Sequence, residues 1–204
     1  MKIIAIACNY AAHNNLPGTP FFTSEEPVVF SRADSALLKD GKPFFIPDFA
    51  ADCRCQAELV VRLSRLGKSI PERFAYRYYD AVTVGIGFTA GALLERCRRE
   101  GLPWELATGF DGAAAVGRFA PLEGRDMADL RFWLEADGTE VQRGWSGDMR
   151  WSVDRLIAYV SRFYTVRQGD LLFTGTPVAA VPARIGTRLD GFLDGERRIT
   201  IKVK

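Results

Sequence analysis

Short apolar segments separated by turns recur along the chain, and this pattern predicts strands. Five segments have the length and the apolar or alternating character of a strand. They are Lys2–Cys8, Val28–Ser31, Ala57–Leu63, Val82–Phe88 and Leu171–Thr174. Because segments of this length bounded by turn residues are typical of sheets, the chain is predicted to be rich in β-structure.

Two Asp-Gly dipeptides predict hairpins. The first joins Leu130–Ala136 to Thr139–Gln142, and the second joins Thr187–Leu193 to Arg198–Val203. Glycine adopts positive φ without a Cβ clash and aspartate tolerates it, so Asp-Gly between apolar runs favours a tight turn.

Three segments have helical spacing and a possible capping residue at the start. They are Arg73–Tyr79 after the capping-box pair Ser69 and Glu72, Ala90–Glu100 after Thr89 and ending at Gly101, and Val153–Phe163 after Ser152. Strands outnumber helices and do not alternate regularly with them. We therefore predict an α+β fold, mainly β, formed by a single domain over residues 1–204.

Composition narrows the range of functions. The 204 residues suit one domain, and 27 Lys and Arg against 25 Asp and Glu leave a net charge of only +2. This balance argues against nucleic-acid binding, and no apolar run approaches the roughly 20 residues that span a membrane. Four cysteines without a secretion signal favour reduced thiols and a cytoplasmic location. His13 is the only histidine, which excludes a multi-histidine site within one chain.

Several segments together resemble the fumarylacetoacetate hydrolase superfamily. Cys8–His13 resembles its N-Y-x-x-H segment, Pro27–Phe30 its P-V-x-F strand and Gln56–Val61 its E-x-E-L strand. Gly169–Pro177 resembles the final G-D-x-x-x-T-G-T-P run, which is the most specific of these matches. Gly101–Phe110 is similar to the acylpyruvase and oxaloacetate decarboxylase branch.

The resemblance implies a mixed β-roll of packed sheets with a few short helices, usually assembled as a homodimer. It implies an enzyme that hydrolyses, decarboxylates or isomerises small keto or enol acids. The implied cofactor is Mg²⁺ or Mn²⁺, held by three carboxylates, which would polarise the substrate and stabilise an enolate.

The implied metal positions are altered in this chain. They fall at Gln56, Glu58 and Gly87, so one carboxylate remains of three. Since magnesium loses its water reluctantly and needs anionic oxygen ligands, we expect metal binding to be weak or absent. Alternatively, Asp52 or Asp111 could supply a missing carboxylate.

The resemblance places the catalytic acid/base at His13, with Leu16 where its glutamate partner would be. Two interpretations of His13 stay open: the acid/base residue, or a loop histidine that lost its partner. The resemblance places substrate-binding positions at Tyr10, Arg32, Gly175 and Thr176. Two of these positions have a second interpretation. Arg32 either pairs with a substrate carboxylate or ends a strand, and Thr176 either binds a carboxylate or only shapes a turn.

Two functions follow. The first is a family enzyme acting on a small keto or enol acid, and the second is a catalytically inactive relative that binds a small carboxylate or a partner subunit. A protein can keep its family's fold after the site residues are lost, so the fold alone does not establish the activity. The site residues must therefore distinguish the active enzyme from the inactive binding protein.

Overall fold

The computed structural model describes residues 1–10, 24–38 and 41–204. Within them lie thirteen strands and three α-helices, besides short 3₁₀ turns. The strands are β1 Ile3–Ala7, β2 Val28–Arg32, β3 Leu37–Leu38, β4 Cys53–Leu63, β5 Tyr79–Ala90, β6 Ala114–Val116, β7 Ala120–Pro121, β8 Arg131–Ala136, β9 Thr139–Trp145, β10 Leu171–Phe173, β11 Val181–Pro182, β12 Arg188–Leu193 and β13 Glu196–Lys202. The helices are α1 Gly91–Glu100, α2 Glu105–Thr108 and α3 Val153–Phe163.

The strands form two sheets. The larger has the order β2-β1-β10-β4-β5-β6-β3, with β11 added beside β4 and β7 beside β5. It is mixed, because β1 pairs with β10 and β3 with β6 in parallel, while its other pairs are antiparallel. The smaller sheet is antiparallel with the order β13-β12-β8-β9. This confirms the predicted α+β fold, mainly β.

The two faces of the larger sheet pack into different apolar clusters. Side chains at odd positions of β4, such as Leu59 and Val61, join the main apolar core with Phe132 and Leu134 of the smaller sheet. The alternate side chain Val60 joins a second, smaller cluster. Because successive strand side chains point to opposite faces, the even positions of β4 belong to this second face.

The strand and hairpin predictions are confirmed, with shifted ends. Asp137 and Asp194 have φ of 49° and 48°, and the glycines that follow them have φ of 81° and 86°. Positive φ at both central residues is the geometry that Asp-Gly favours in tight hairpins. The central pair β4 and β5 is longer than predicted, because the two strands pair with each other along Cys53–Leu63.

Of the three helix predictions, α3 is confirmed in full, since the Ser152 hydroxyl accepts from the Arg155 N–H at 3.2 Å. The capping box at Ser69 is wrong. Ser69 has φ of 50°, and a 3₁₀ helix over Glu72–Arg77 begins after Pro71 with no side-chain cap.

The predicted cap of α1 is also wrong, because Thr89 pairs with Arg54 within the β4–β5 ladder. The helix begins after Ala90 with no side-chain cap and ends, as predicted, at Gly101 in the left-handed region.

Cys53, Cys55 and Cys97 are buried free thiols, and Cys8 is buried as well. Burial raises the pKa of Cys53 to about 11 and that of Cys55 to about 12. In the described part of the chain, none of the helices has the length and apolar character needed to span a membrane.

The Ser152 cap predicts a measurable contribution to stability. Replacing Ser152→Ala removes the hydrogen bond to the Arg155 N–H and should lower the free energy of unfolding by about 1 kcal/mol. Urea denaturation measures this change. The matched control is Ser69→Ala at the exposed, non-capping serine, which should change the free energy by less than about 0.5 kcal/mol; an equal loss in both variants would contradict the assignment.

Candidate functional site

The candidate site lies on the second face of the larger sheet. Gln56 and Glu58 are two residues apart on β4, so both side chains point to the face that carries Val60. Glu58 is buried and Gln56 is half-buried. An ionised carboxylate in the middle of a central strand loses its hydration, and it must be compensated by charge and hydrogen bonds.

Three groups compensate the Glu58 carboxylate. Arg32 Nη2 and Gln56 Nε2 donate to Glu58 Oε1 at 3.4 and 3.2 Å. The backbone N–H of Gly175 donates to Glu58 Oε2 at 3.2 Å. Both carboxylate oxygens are therefore occupied by donors that come from three separate strands or strand ends.

Arg32 reaches Glu58 from the last position of β2. In a flat sheet, three strand spacings would separate β2 from β4 by about 14 Å, so the contact depends on the curl of the sheet and on the length of both side chains. The Arg32 side chain is 0% exposed and that of Glu58 is 2% exposed. Its guanidinium lies 5.6 Å from the ring centre of Phe30 and 5.0 Å from that of Phe173.

Arg32 is incompletely satisfied. Its Nε and Nη1 have no hydrogen-bond acceptor among the residues that the structure describes. Burial lowers the pKa of the Arg32 guanidinium, and the Glu58 charge offsets part of that effect. A buried cation with unused donors is a favourable partner for an anion.

Gly87 faces the same point from β5, where it is paired with Gln56. A Cβ added at Gly87 would lie 2.7 Å from Glu58 Oε1 and 3.0 Å from Arg32 Nη2. Both atoms end flexible side chains, so a side chain at position 87 would displace them, and glycine leaves room for the ion pair as it stands. The three positions implied for the metal ligands therefore converge, with the guanidinium among them.

The turn after β10 holds Gly175 and Thr176. Gly175 has φ of 98°, and a Cβ there would lie 3.0 Å from the carbonyl oxygen of Ile6. This conformation and close approach both require glycine, and they direct its N–H at Glu58. The buried Thr176 hydroxyl donates to the carbonyl of Val178 at 3.2 Å, so a ligand carboxylate would have to compete with that bond.

Asn9 is a positioning residue that sequence reasoning missed. Its fully buried amide donates to the carbonyls of Thr174 at 2.9 Å and Trp151 at 3.3 Å, and it accepts from the Trp151 N–H at 2.9 Å. It thereby joins the end of β1 to the turn that carries Gly175. The sequence signal that could have identified Asn9 is its position in the N-Y-x-x-H segment, beside Tyr10 and His13.

The structure thus brings together five of the predicted site residues: Arg32, Gln56, Glu58, Gly87 and Gly175. Tyr10 is buried in the main core with its ring edge-on to Phe132 at 6.3 Å, and burial raises the pKa of its phenol. A substrate-binding role for Tyr10 stays a prediction. His13 and Leu16 lie outside the described residues, so the acid/base assignment also stays a prediction.

The two proposed compensating aspartates are exposed at the surface. Asp52 Oδ2 accepts from Arg54 Nη2 at 2.8 Å, next to the start of β4 at Cys53. Five strand residues, about 17 Å, separate Cys53 from Glu58. Asp111 is exposed, whereas Glu58 is buried. In residues 1–10, 24–38 and 41–204, no group of three or more His, Cys, Asp or Glu side chains could hold a metal ion.

Comparison with known sequences decides the family. The sequence model of the Fumarylacetoacetate (FAA) hydrolase C-terminal family matches residues 2–198. The chain belongs to the fumarylacetoacetate hydrolase family. It is 32% identical over 204 residues to "Oxaloacetate tautomerase FAHD1, mitochondrial" of Mus musculus, covering 100% of this chain and 91% of the relative. The match to the protein of the same name from Arabidopsis thaliana is 31% over the same spans.

Solved structures agree with this membership. Fumarylpyruvate hydrolase from Pseudomonas aeruginosa, in complex with Mn²⁺ and pyruvate, superposes with a TM-score of 0.91 at 28% identity, covering 100% of this chain and 89% of that one. The 5-carboxymethyl-2-hydroxymuconate delta-isomerase from Mycobacterium smegmatis gives 0.85 at 27% identity, covering 99% and 78%. The family's α+β fold, predicted from the resemblance, is thereby confirmed.

The donors in this fumarylacetoacetate hydrolase family site do not fit a hard divalent cation. Magnesium requires oxygen ligands, but here the only carboxylate of the converging set is Glu58, and its oxygens accept hydrogen bonds from nitrogen donors of Gln56, Gly175 and Arg32. At about 4 Å and an effective dielectric constant near 20, a unit charge attracts or repels a divalent ion by about 8 kcal/mol. Repulsion by the adjacent Arg32 therefore offsets much of the attraction by Glu58, and less remains to offset dehydration.

The buried ion pair predicts a large asymmetry in mutant stability. Glu58→Gln leaves the Arg32 charge buried without its counter-ion and should lower the free energy of unfolding by about 3–5 kcal/mol. The matched control is Asp80→Asn, which removes the carboxylate of the exposed Arg62–Asp80 pair, 2.9 Å apart, and should cost less than about 1 kcal/mol. Urea denaturation of both variants makes the comparison, and a small loss for Glu58→Gln would contradict the account.

Proposed function

We propose that this chain binds a small keto or enol carboxylate and catalyses proton transfer between its tautomers. The family supports the substrate class, since its relatives are named as tautomerases, hydrolases and isomerases. Relatives named oxaloacetate tautomerase match the whole chain at 28–32% identity. Tautomerisation is therefore the reaction class for which the sequence support is most direct.

The observation that carries the proposal is the unsatisfied guanidinium of Arg32. Two of its nitrogens have no acceptor among the described residues, although the side chain is fully buried beside Glu58. Desolvated cationic donors gain most from an anionic acceptor such as a carboxylate or an enolate oxygen. Because both side chains are buried, a ligand can reach them only through local opening of the surrounding chain.

Proton transfer also needs fewer catalytic groups than hydrolysis does. Keto–enol interconversion moves one proton between carbon and oxygen, so it needs an acid/base group and a cation near the enolate oxygen. We assign the first role to His13 and the second to Arg32. Hydrolysis needs an activated water as well, and Leu16 stands where the resemblance places the glutamate partner of His13.

The alternative function is binding without turnover. It shares the carboxylate ligand and Arg32 but requires no proton transfer, so kinetics separate it from the proposed enzyme. A homodimer and a cytoplasmic location complete the proposal.

The proposal predicts faster interconversion of enol and keto oxaloacetate. Enol oxaloacetate is mixed with the purified protein in the presence of a metal chelator, and the decay of its ultraviolet absorbance is followed. We expect acceleration over the uncatalysed reaction. Arg32→Lys keeps the charge but loses the planar fork, and it should reduce the acceleration at least about tenfold.

Arg62→Lys is the matched control, because Arg62 also pairs with a carboxylate and lies over a phenylalanine ring, at 5.3 Å from Phe119, yet is exposed. It should retain wild-type activity. Calorimetry with oxalate, a planar analogue of an enolate, reports binding separately. Oxalate binding without acceleration would overturn the enzymatic proposal in favour of binding alone, and the absence of both would overturn it altogether.

A further inference from the structure

We infer that the Arg32 guanidinium takes the place of a divalent cation in this site, so that the site carries a built-in positive charge and binds no metal ion. This inference is independent of the proposed tautomerase activity, because it concerns what occupies the site and not what is turned over.

The first argument is position. The three positions that the resemblance assigns to metal ligands, Gln56, Glu58 and Gly87, meet at one point on the second face of the larger sheet. Arg32 Nη2 lies at that point, 3.4 Å from Glu58 Oε1 and 3.0 Å from where a Cβ of residue 87 would be. The guanidinium therefore lies among the converging ligand positions, where a bound cation would contact Glu58.

The second argument is the fit between Arg32 and Gly87. An aspartate at position 87 would place its Cβ 2.7 Å from Glu58 Oε1 and would crowd Arg32. Because the contacted atoms of Glu58 and Arg32 end flexible side chains, an aspartate at position 87 would force the ion pair out of its present positions. The absence of a side chain at Gly87 leaves room for the guanidinium to lie against Glu58 as it does here.

The third argument is charge. Glu58 and Arg32 together are neutral, and Gln56 and Gly87 add no charge to the site. Gln56 turns its amide nitrogen towards Glu58 Oε1 at 3.2 Å, which stabilises the carboxylate in the presence of the guanidinium. Each of the four positions is thus consistent with one internal positive charge and with no second cation.

The test compares manganese binding by variants that restore the missing carboxylates with and without the Arg32 guanidinium. In the double variant Gln56→Glu, Gly87→Asp, the guanidinium remains, so we expect weak binding. In the triple variant that adds Arg32→Lys, the flexible lysine can withdraw, so we expect Mn²⁺ to bind at least tenfold more tightly than to the double variant. Calorimetry and manganese electron paramagnetic resonance measure the affinity, and circular dichroism checks the fold.

Adding Arg62→Lys to the double variant instead is the matched control, and it should leave the manganese affinity unchanged. Equal affinities of the double and triple variants would overturn the inference. The unmodified protein gives a second test, which does not depend on whether a variant folds. A ligand that binds the native state raises the melting temperature, so we expect the same melting temperature with Mn²⁺, Mg²⁺ or chelator, and micromolar metal binding by the wild type would overturn the inference.

Discussion

The buried ion pair between Arg32 and Glu58 is the constraint on which the rest of the site depends. A carboxylate in the centre of β4 cannot remain charged in an apolar interior without a counter-ion and hydrogen bonds, and here the counter-ion comes from β2. The pair depends on the curl of the larger sheet, and glycine at position 87 leaves room for it. The Gly175 N–H also donates to the Glu58 carboxylate, so the strand ends and the charged pair form one arrangement.

Most of the fold could be predicted from local patterns, because strand alternation and turn chemistry are local properties. Asp137-Gly138 and Asp194-Gly195 specify tight hairpins by their backbone preferences, and Ser152 specifies the start of α3. The wrong predictions arose where longer-range pairing overrides a local signal. Thr89 could cap a helix, but pairing with Arg54 keeps it in β5.

The candidate site was predictable only in part. The family resemblance identified Glu58, Gln56, Gly87 and Arg32, and the changed residues indicated a loss of metal ligands. The sequence could not show that Arg32 takes the place of the lost metal site, because its closeness to Glu58 depends on the curl of the sheet. The hydrogen bonds of Asn9 and the Gly175 N–H were missed for the same reason, since they join segments more than 100 residues apart.

The most direct test of a built-in cation is a crystal structure of the unmodified protein grown with excess Mn²⁺, with anomalous scattering measured to locate manganese. The account predicts guanidinium density beside Glu58 and no anomalous peak within coordination distance of its oxygens, about 2.0–2.6 Å. An anomalous peak bound to Glu58, with the Arg32 side chain displaced, would contradict the account.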